Sequence, residues 1–387
     1  MAGDRRGSTV GVAPLAGAGR ATPIPTKTHP EVRQRLEEIE DRTLSRFAAR
    51  SRDATGRRWP QDPDPLRAAY QRDRDRIVHS KAFRRLKHKT QVFIAPVGDH
   101  YRTRLTHTME VMQVARTIAR ALRLNEDLTE ATALGHDLGH TPFGHAGEDA
   151  MAELLGSFRH NEQSVRVVEY LEREGRGLNL AEQVRDGILK HSKLRDSVAA
   201  EGWGIAHTLE GQIVKLADSI AYLAHDIDDA LRAGVIDQEQ IPTEYIEAFG
   251  TTTGERIETL VSDIVDYNWR VALGQGESWR AAVGNGQVLG LSPSTLELMN
   301  GLREFMFKNV YTESAAKADV PKTKFVIRAL FEHFCRHEDQ LPAEFRANPR
   351  DEPAERRVAD YIAGMTDRFA LKTFTNIYVP QQWARFD

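Results

Sequence analysis

The 387-residue chain has one cysteine, no long apolar run and almost no net charge, and each of these absences excludes a class of protein. The single thiol, Cys335, cannot build a disulfide framework, which favours a reducing compartment. No apolar segment is long enough to cross a bilayer, and no apolar stretch follows Arg5 and Arg6 to form a secretory signal. A formal net charge of -3 argues against a protein whose main task is to coat nucleic acid. We therefore expect a soluble cytoplasmic protein with no membrane partner.

Strand-like alternation is also scarce, and helical periodicity takes its place along most of the chain. In residues 106–124 two adjacent rows of apolar side chains recur at helical spacing, which predicts a buried central helix. Lys89–Ala95 is the best short strand candidate. We predict an all-α fold. The same periodicity predicts helices over residues 126–138, 145–155, 161–174, 181–190, 208–232, 255–273, 294–310, 322–337 and 353–372.

Composition divides the chain into four parts. Residues 1–30 are rich in Gly, Ala, Thr and Pro and are predicted to form a disordered tail. Residues 31–65 are predicted to form a helix followed by a loop rich in helix-breaking residues. Residues 66–235 contain the motifs that carry chemistry. Residues 236–387 are predicted to be a C-terminal helical region; the family resemblance described below implies that it completes the substrate pocket and makes oligomer contacts.

The segment LGHDLGHTPFGHAGE, residues 134–148, is the most informative part of the chain. Its glycines and the pair Thr141-Pro142 predict the end of one helix, a tight loop and the start of another. Five side chains that bind metals or move protons therefore converge on one turn, which predicts a metal-dependent hydrolase centre. These side chains are His136, Asp137, His140, His145 and Glu148.

Two more residues complete a set of candidate metal ligands around His136 and Asp137. His107 lies near the start of the predicted central helix, and Asp218 lies among apolar residues where an uncompensated carboxylate would be costly. Two imidazoles and two carboxylates suit Mn, Fe, Zn, Ni or Co better than calcium. Taken singly, each histidine is also consistent with a hydrogen-bonded core residue, and Asp218 with an ion pair to Lys215.

Further candidates follow from helical spacing. His145 and Glu148 are three residues apart, so Glu148 can orient the imidazole for acid–base work; the alternative is a cap in the first helical turn. Arg104, three residues before His107, is positioned to bind an anion beside the candidate metal ligands, or to form a surface salt bridge.

Tyr222 and Asp226 follow Asp218 on one side of a predicted helix, a stagger that suits an extended substrate. The alternatives are a core tyrosine, and an Asp226–Arg232 pair or a solvent contact. The basic run 84–89 (RRLKHK) is consistent with a regulatory nucleotide site, a nucleic-acid surface or plain solubility.

The pattern His107…His136-Asp137…Asp218 resembles the HD-domain metal phosphohydrolases. Within that superfamily, HDLGHTPFGHAGE together with segments 72–93, 104–111, 209–231 and 360–370 resembles the deoxynucleoside triphosphate triphosphohydrolases, the dGTPase-like family. The resemblance implies an HD-domain helical bundle with additional C-terminal helices, and hydrolysis of a dNTP to deoxynucleoside and tripolyphosphate. It also implies a divalent metal (Mn, Mg, Fe, Ni, Co or Zn), a homotetramer or homohexamer, and room for an activating dNTP at a second site.

The resemblance also implies roles for individual residues. The metal ligands would be His107, His136, Asp137 and Asp218, and the catalytic group would be His145, Glu148 and His140. The substrate contacts would be Gln91, Arg104, His160, Tyr222, Asp226, Arg303 and Tyr311. Two other functions stay open at this point. One is an HD-type nucleotidase or phosphodiesterase acting on another nucleotide, and the other is a protein that binds nucleotides or single-stranded nucleic acid.

Overall fold

The computed structural model describes residues 29–91, 102–192, 204–272, 289–312, 319–346 and 350–380, and the predicted tail at 1–30 lies almost wholly outside them. Within these ranges the regular structure is helical apart from one antiparallel bridge between Thr90 and Thr103, so the all-α prediction is confirmed. Of the strand predicted over Lys89–Ala95, the described residues 89–91 form only that bridge, and residues 92–95 lie outside the described part. The described helices are α1 Pro30–Thr43, α2 Ala69–Val78, α3 Lys81–Arg85, α4 Arg104–Ala121, α5 Glu126–Gly135, α6 Gly144–Leu155, α7 His160–Arg166, α8 Glu182–Lys190, α9 Leu209–Arg232, α10 Thr243–Phe249, α11 Thr253–Ala272, α12 Pro293–Met306, α13 Val320–Arg336, α14 Ala343–Arg346, α15 Ala354–Ala363 and α16 Asp367–Tyr378.

Three helices that carry or directly precede candidate site residues begin at side chains that accept otherwise unpaired backbone N–H groups. Thr103 caps α4, the Asn125 side chain accepts the Leu128 N–H at 3.1 Å at the start of α5, and Thr208 caps α9. The predicted helices 106–124, 126–138 and 208–232 are therefore confirmed to within a few residues, and their N-terminal ends follow from cap chemistry.

The single helix predicted over residues 353–372 is wrong. The chain forms two helices there, α15 and α16, separated at Gly364–Thr366. Thr366 accepts the N–H of Phe369 at 3.2 Å and so starts a new helix. The apolar pattern continues across the break because both helices pack on the same hydrophobic cluster, and periodicity alone did not reveal the interruption.

The central layer consists of α4, α5 and α9. Val111, Val114 and Ile118 of α4 are fully or almost fully buried, which confirms the predicted central helix. Helices α10, α11 and α12 share a hydrophobic cluster with α4 and α9, while α13 and α15 pack against α6 and α16 packs against α13. Helices from beyond residue 235 thus pack both on the central layer and on α6, and the predicted boundary at 235/236 stays a prediction. Among the described helices, none has the length and apolar character that a membrane span requires.

Candidate active site

Five helices bring an end or a first turn, and a sixth its middle, to one buried cluster of histidines and carboxylates. His107 lies in the first turn of α4, Asp218 in the middle of α9, and the remaining members lie at the junctions between α5, α6, α7 and α8. Because all but one of these side chains are mostly buried, their polar atoms contact one another rather than bulk water. The cluster consists of His107, His136, Asp137, His140, His145, Glu148, His160, His191 and Asp218.

The turn after α5 is held in place by a hydrogen bond within it and by hydrogen bonds to Ser164 on α7. His136 Nδ1 donates to the Ala133 carbonyl at 2.6 Å, which turns its Nε2 toward the cluster. Ser164 Oγ donates to the His136 carbonyl at 2.7 Å and accepts the Gly139 N–H at 2.8 Å. A Cβ at Gly139 would lie 2.2 Å from the Ser164 backbone nitrogen, so only glycine allows α7 this close to the turn.

The start of α6 depends on an unusual backbone conformation. Phe143 adopts a left-handed conformation with φ 64°, and its N–H donates to Asp367 Oδ1 at 2.9 Å. Gly144 also has a positive φ, and a Cβ there would lie 3.1 Å from Arg104 Nη2. The loop that carries His140 is therefore fixed by a carboxylate from the C-terminal region.

The four predicted metal ligands lie together. His107 Nε2 is 3.1 Å from Asp218 Oδ1, while His136 Nε2 is 3.4 Å from Asp137 Oδ1 and 4.0 Å from Asp218 Oδ1. The donor atoms of His107, His136 and Asp218 all lie within 4.8 Å of one another. His136 Nε2 is buried and has no hydrogen-bond partner among the described residues, which is the condition expected of a nitrogen that a cation would bind. The donor set fits a divalent transition metal.

The charges of this group favour metal binding. Burial raises the pKa of Asp137, but the neighbouring imidazoles of His136 and His140 and the Arg104 guanidinium outweigh it, and the net pKa lies well below its usual range. Burial lowers the pKa of His107, so its imidazole is neutral at pH 7 and keeps a lone pair. Asp137 is thus an anion and His107 a neutral nitrogen donor.

Arg104 does not form the surface salt bridge that the sequence left as an alternative. Its side chain is 2% exposed, and Nη1 donates to Asp137 Oδ2 at 2.8 Å. Its Nε and Nη2 are buried without a hydrogen-bond partner among the described residues. Because a guanidinium carries five donors in a fixed fork, the groups that Asp137 leaves unused remain available for an anion.

Glu148 connects two histidines. Its Oε2 lies 3.2 Å from His145 Nδ1 and 3.1 Å from His160 Nδ1, and its Oε1 accepts the His160 N–H at 3.0 Å. Burial raises the pKa of Glu148, but the charge and hydrogen bonds of His160 and His145 outweigh it and hold the pKa below its usual range. Because its Oε1 accepts the His160 N–H, Glu148 caps the start of α7 rather than the start of α6. The His145 side chain is 58% exposed, which leaves its second nitrogen open to a ligand.

The histidines form a continuous group. The rings of His140 and His160 stack with centroids 4.0 Å apart and planes 11° from parallel. Burial lowers the pKa of His140 well below its usual range, and Arg104 adds to the effect. On its far side, His160 Nε2 lies 3.3 Å from His191 Nε2. Burial lowers the pKa of His191 to about 3.

Sequence reasoning missed His191. It follows α8 in the segment GILKHSK, and its only local signal is a histidine directly after an amphipathic helix, which is a common arrangement. Tertiary packing is what brings it to His160, because α7 and α8 pack against each other.

The remaining predicted substrate contacts lie around the cluster or on the C-terminal helices. Gln91 is buried beside the start of α6, with its backbone oxygen 3.7 Å from the position of a Cβ at Gly144. Tyr222 and Asp226 lie one and two turns beyond Asp218 on α9. Arg303 lies on α12 with its guanidinium 3.4 Å from Asn300 Oδ1, and the Tyr311 side chain lies outside the described part.

The basic run 84–89 separates into exposed and buried members. Arg84, Lys87 and His88 are exposed, as a solvated charge run requires. Lys89 is 2% exposed, and its Nζ donates to the carbonyl oxygens of His140 and Ala363, so a solubility role is wrong for this residue. Burial lowers the pKa of Lys89 to about 7.

Comparison with known proteins places this geometry in a family. Residues 104–223 match the HD domain, and residues 289–376 match the phosphohydrolase-associated domain. A deoxyguanosinetriphosphate triphosphohydrolase-like protein of Caldanaerobacter subterraneus subsp. tengcongensis is 51% identical over 354 residues, covering 91% of this chain and 97% of the relative. A protein of the same description from Desulfatibacillum aliphaticivorans is 47% identical, covering 90% of this chain and 98% of the relative. A solved structure of a hypothetical protein from Aquifex aeolicus aligns with a TM-score of 0.40 and 18% identity, covering 78% of this chain and 67% of that one, which is too distant to bear on function.

Proposed function

Because the chain belongs to the deoxyguanosinetriphosphate triphosphohydrolase-like family of HD-domain phosphohydrolases, we propose that it hydrolyses deoxynucleoside triphosphates to deoxynucleoside and inorganic tripolyphosphate. In this reaction a water oxygen bonds to the α-phosphorus and the bond from that phosphorus to the 5′-oxygen breaks. The leaving 5′-oxygen takes up a proton, and the water loses one. The proposed enzyme must therefore bind a triphosphate, orient a water molecule and supply a proton donor.

The observation that carries the proposal is the proximity of two groups with different chemistry. The first group is the set of proposed metal donors, His107, His136, Asp137 and Asp218. The second is the His145–Glu148 pair on α6, which lies beside that set. A simple metal-binding site has no need of an exposed imidazole oriented by a buried carboxylate. A hydrolase that expels an alkoxide has that need.

The four donor residues would hold the divalent cation, which when bound supplies charge neutralisation at phosphate and activates water. Arg104 acts beside them. Its ion pair with Asp137 fixes the guanidinium, and the buried Nε and Nη2 are positioned to donate to phosphate oxygens. His140 and His160 line the same wall of the cluster and are proposed to contact the phosphates.

His145 is the proposed proton donor. Its Nδ1 contacts the Glu148 carboxylate, so Nδ1 carries a proton and the opposite nitrogen, Nε2, is the one that exchanges a proton with the substrate. Glu148 stabilises the imidazolium by its negative charge and holds the ring in orientation. The 58% exposure of His145 allows a substrate to approach it.

Helix α9 is proposed to bind the sugar. Asp218, Tyr222 and Asp226 follow one another along the helix at intervals of one turn, about 6 Å apart. A nucleotide whose phosphates lie at Asp218 therefore places its deoxyribose along Tyr222 and Asp226. Gln91, Arg303 and Tyr311 are proposed to complete the sugar, phosphate and base contacts.

The proposal has further parts that rest on family membership. We propose a cytoplasmic homo-oligomer, a tetramer or hexamer, loaded with Mn, Mg, Fe, Ni, Co or Zn. We also propose that a second dNTP activates the enzyme. The protein is further proposed to bind single-stranded nucleic acid weakly.

The test is product analysis after incubation of the purified protein with each dNTP, singly and mixed, in the presence of Mn or Mg. Deoxynucleoside and tripolyphosphate in equal amounts are the expected products. Pyrophosphate with a nucleoside monophosphate, or phosphate alone, would instead indicate an HD-type phosphodiesterase or nucleotidase. Turnover only in the mixture is the outcome expected of an activating second nucleotide.

A further inference from the structure

A second histidine–carboxylate pair lies outside the cluster of histidines and carboxylates, between α4 and α9. His225 Nδ1 is 3.0 Å from Glu110 Oε2, and neither atom has another hydrogen-bond partner among the described residues. Burial raises the pKa of Glu110, but its contacts with His225 and Arg102 outweigh burial and lower the pKa. Glu110 is therefore ionised. Because a carboxylate oxygen only accepts hydrogen bonds, Nδ1 of His225 carries a proton at this contact.

The other nitrogen of the His225 ring, Nε2, makes no hydrogen bond with the described residues. The side chain is 3% exposed, and its described contacts are the one with Glu110 and an edge contact with the ring of His107, with centroids 6.4 Å apart. Among the described residues, His225 belongs to none of the groups whose donor atoms lie close enough to hold one metal ion. Because polar atoms of buried side chains are rarely without a partner, we expect Nε2 to meet a ligand that is not a metal.

His225 lies at the sugar end of the proposed substrate site. It follows Asp218 on α9 by seven residues, which is about two full turns, so both side chains leave the helix in nearly the same direction. The rise over those residues is about 10.5 Å, which puts His225 at nearly the same level as Asp226. The proposed nucleotide has its phosphates at Asp218 and its deoxyribose along Tyr222 and Asp226. The His225 ring therefore lies beside the sugar.

Nε2 suits a hydroxyl group in either charge state of the ring. With a proton on Nδ1, the neutral ring presents a lone pair at Nε2, whereas the imidazolium presents an N–H there. A phosphate oxygen only accepts hydrogen bonds, so it pairs with the imidazolium alone. A hydroxyl both donates and accepts, so it pairs with both forms. The sugar of a deoxynucleoside triphosphate has one hydroxyl group, at the 3′ position.

We propose that His225, held by Glu110, contacts the 3′-hydroxyl of the substrate through Nε2 and makes the protein prefer nucleotides that carry this group. Glu110 is a positioning residue, because it acts on the substrate only through His225. The contact rests on the proposed function, which supplies the sugar and its position along α9.

The test measures how strongly the protein prefers a dNTP over its 2′,3′-dideoxy analogue. Both nucleotides are offered in one mixture with Mn(II), so any activating nucleotide acts on both reactions. The early ratio of deoxynucleoside to dideoxynucleoside then gives the ratio of the two kcat/KM values. The main variant is His225→Asn, whose amide nitrogen replaces Nδ1 against Glu110 while Nε2 is lost. Glu110→Ala is the second variant, and Met109→Ala is the control, at an exposed residue adjoining Glu110 on α4.

We expect the unmodified protein and Met109→Ala to prefer the dNTP by the same factor. His225→Asn should lower this preference by about 2- to 12-fold, the usual effect of one hydrogen bond, because dNTP hydrolysis slows while hydrolysis of the dideoxy analogue is unchanged. Glu110→Ala should lower the preference in the same direction. An equal fall for both nucleotides in His225→Asn would assign the residue a structural role only and overturn the proposal, and so would an unchanged preference. If His225→Asn does not fold, Glu110→Ala decides.

Failure of this contact is distinguishable from failure of the proposed function. A protein that releases tripolyphosphate from dNTPs, with a preference that does not depend on His225, contradicts only the contact. A protein that hydrolyses no dNTP contradicts the proposed function. In that case calorimetry decides the contact, from the ratio of the dissociation constants of the same two nucleotides in the unmodified protein and in His225→Asn.

Discussion

The carboxylate of Asp367, at the start of α16, accepts the N–H of Phe143 at 2.9 Å, on the loop that carries His140. Its other oxygen accepts the N–H of Thr90 at 2.8 Å and the Thr90 hydroxyl. Lys89 makes a parallel connection from His140 to Ala363. Through these bonds the C-terminal region fixes the backbone between the proposed metal donors and the proposed acid–base pair, although none of its described residues belongs to the cluster of histidines and carboxylates.

Asp367→Ala should therefore loosen the His140 loop. The change leaves two buried backbone donors without an acceptor, and we expect a loss of about 1–3 kcal/mol of unfolding free energy together with a fall in turnover. Denaturant unfolding and steady-state kinetics measure the two effects. Asp339→Ala, at an exposed position on a short 3-10 helix, is the matched control. Unchanged stability and activity in Asp367→Ala would show that the loop does not depend on this carboxylate.

Replacing a metal donor should remove the metal before it affects the fold. In Asp137→Asn the charge that balances the cation and Arg104 is lost, and we expect loss of bound metal and of hydrolysis. Metal analysis of the purified variant, with circular dichroism as a check on folding, makes the measurement. A variant that retains the metal would remove Asp137 from the ligand set.

His145→Ala should separate metal binding from turnover. The side chain is exposed and makes its described contact with Glu148, so its removal should leave the donor set intact. We expect a fall in kcat of about 10²–10⁴, the usual contribution of a positioned general acid, with normal metal content. Full activity in this variant would exclude His145 as the proton donor. His337→Asn, at an exposed histidine after α13, serves as the control.

Glu210 predicts a pH-dependent difference in stability. The side chain is fully buried on α9, its Oε1 accepts the N–H groups of Ala49 and Asn125, and burial raises its pKa to about 7. In the unfolded chain the group ionises near 4.5, so the folded state holds its proton over a wider pH range. Ionisation of Glu210 therefore destabilises the folded state as pH rises from about 4.5 to about 7.

Glu210→Gln removes this titration and keeps an acceptor for both N–H groups. Relative to the unmodified protein, we expect the variant to gain stability between pH 4.5 and pH 7, by up to about 3 kcal/mol, and to hold that gain above pH 7. Urea unfolding of both proteins across this range makes the comparison, in which the other titrating groups cancel. A difference in stability that does not change with pH would contradict the raised pKa.

Several features of the fold and the site could be predicted from sequence because their signals are local. Apolar periodicity predicted α4, and cap residues such as Thr103 and Thr208 account for where helices begin. The string HDLGHTPFGHAGE brings together five chemically active side chains within thirteen residues, so the sequence alone identifies His136, Asp137, His140, His145 and Glu148 as candidates. The break between α15 and α16 was missed because a hydrophobic pattern can pass through an interruption that a single threonine cap creates.

The sequence by itself determined the all-α class, the family and the residue types of the candidate metal site, since each of these is carried by periodicity or by a motif short along the chain. Only the tertiary structure decided which distant residues meet. It brought His191 to within 3.3 Å of His160, buried Arg104 and Lys89, and bonded Asp367 to the loop that carries His140. These contacts join residues from 31 to 274 positions apart, and no local preference of the chain encodes such pairs. They follow from how the helices pack, which depends on all the apolar surfaces together.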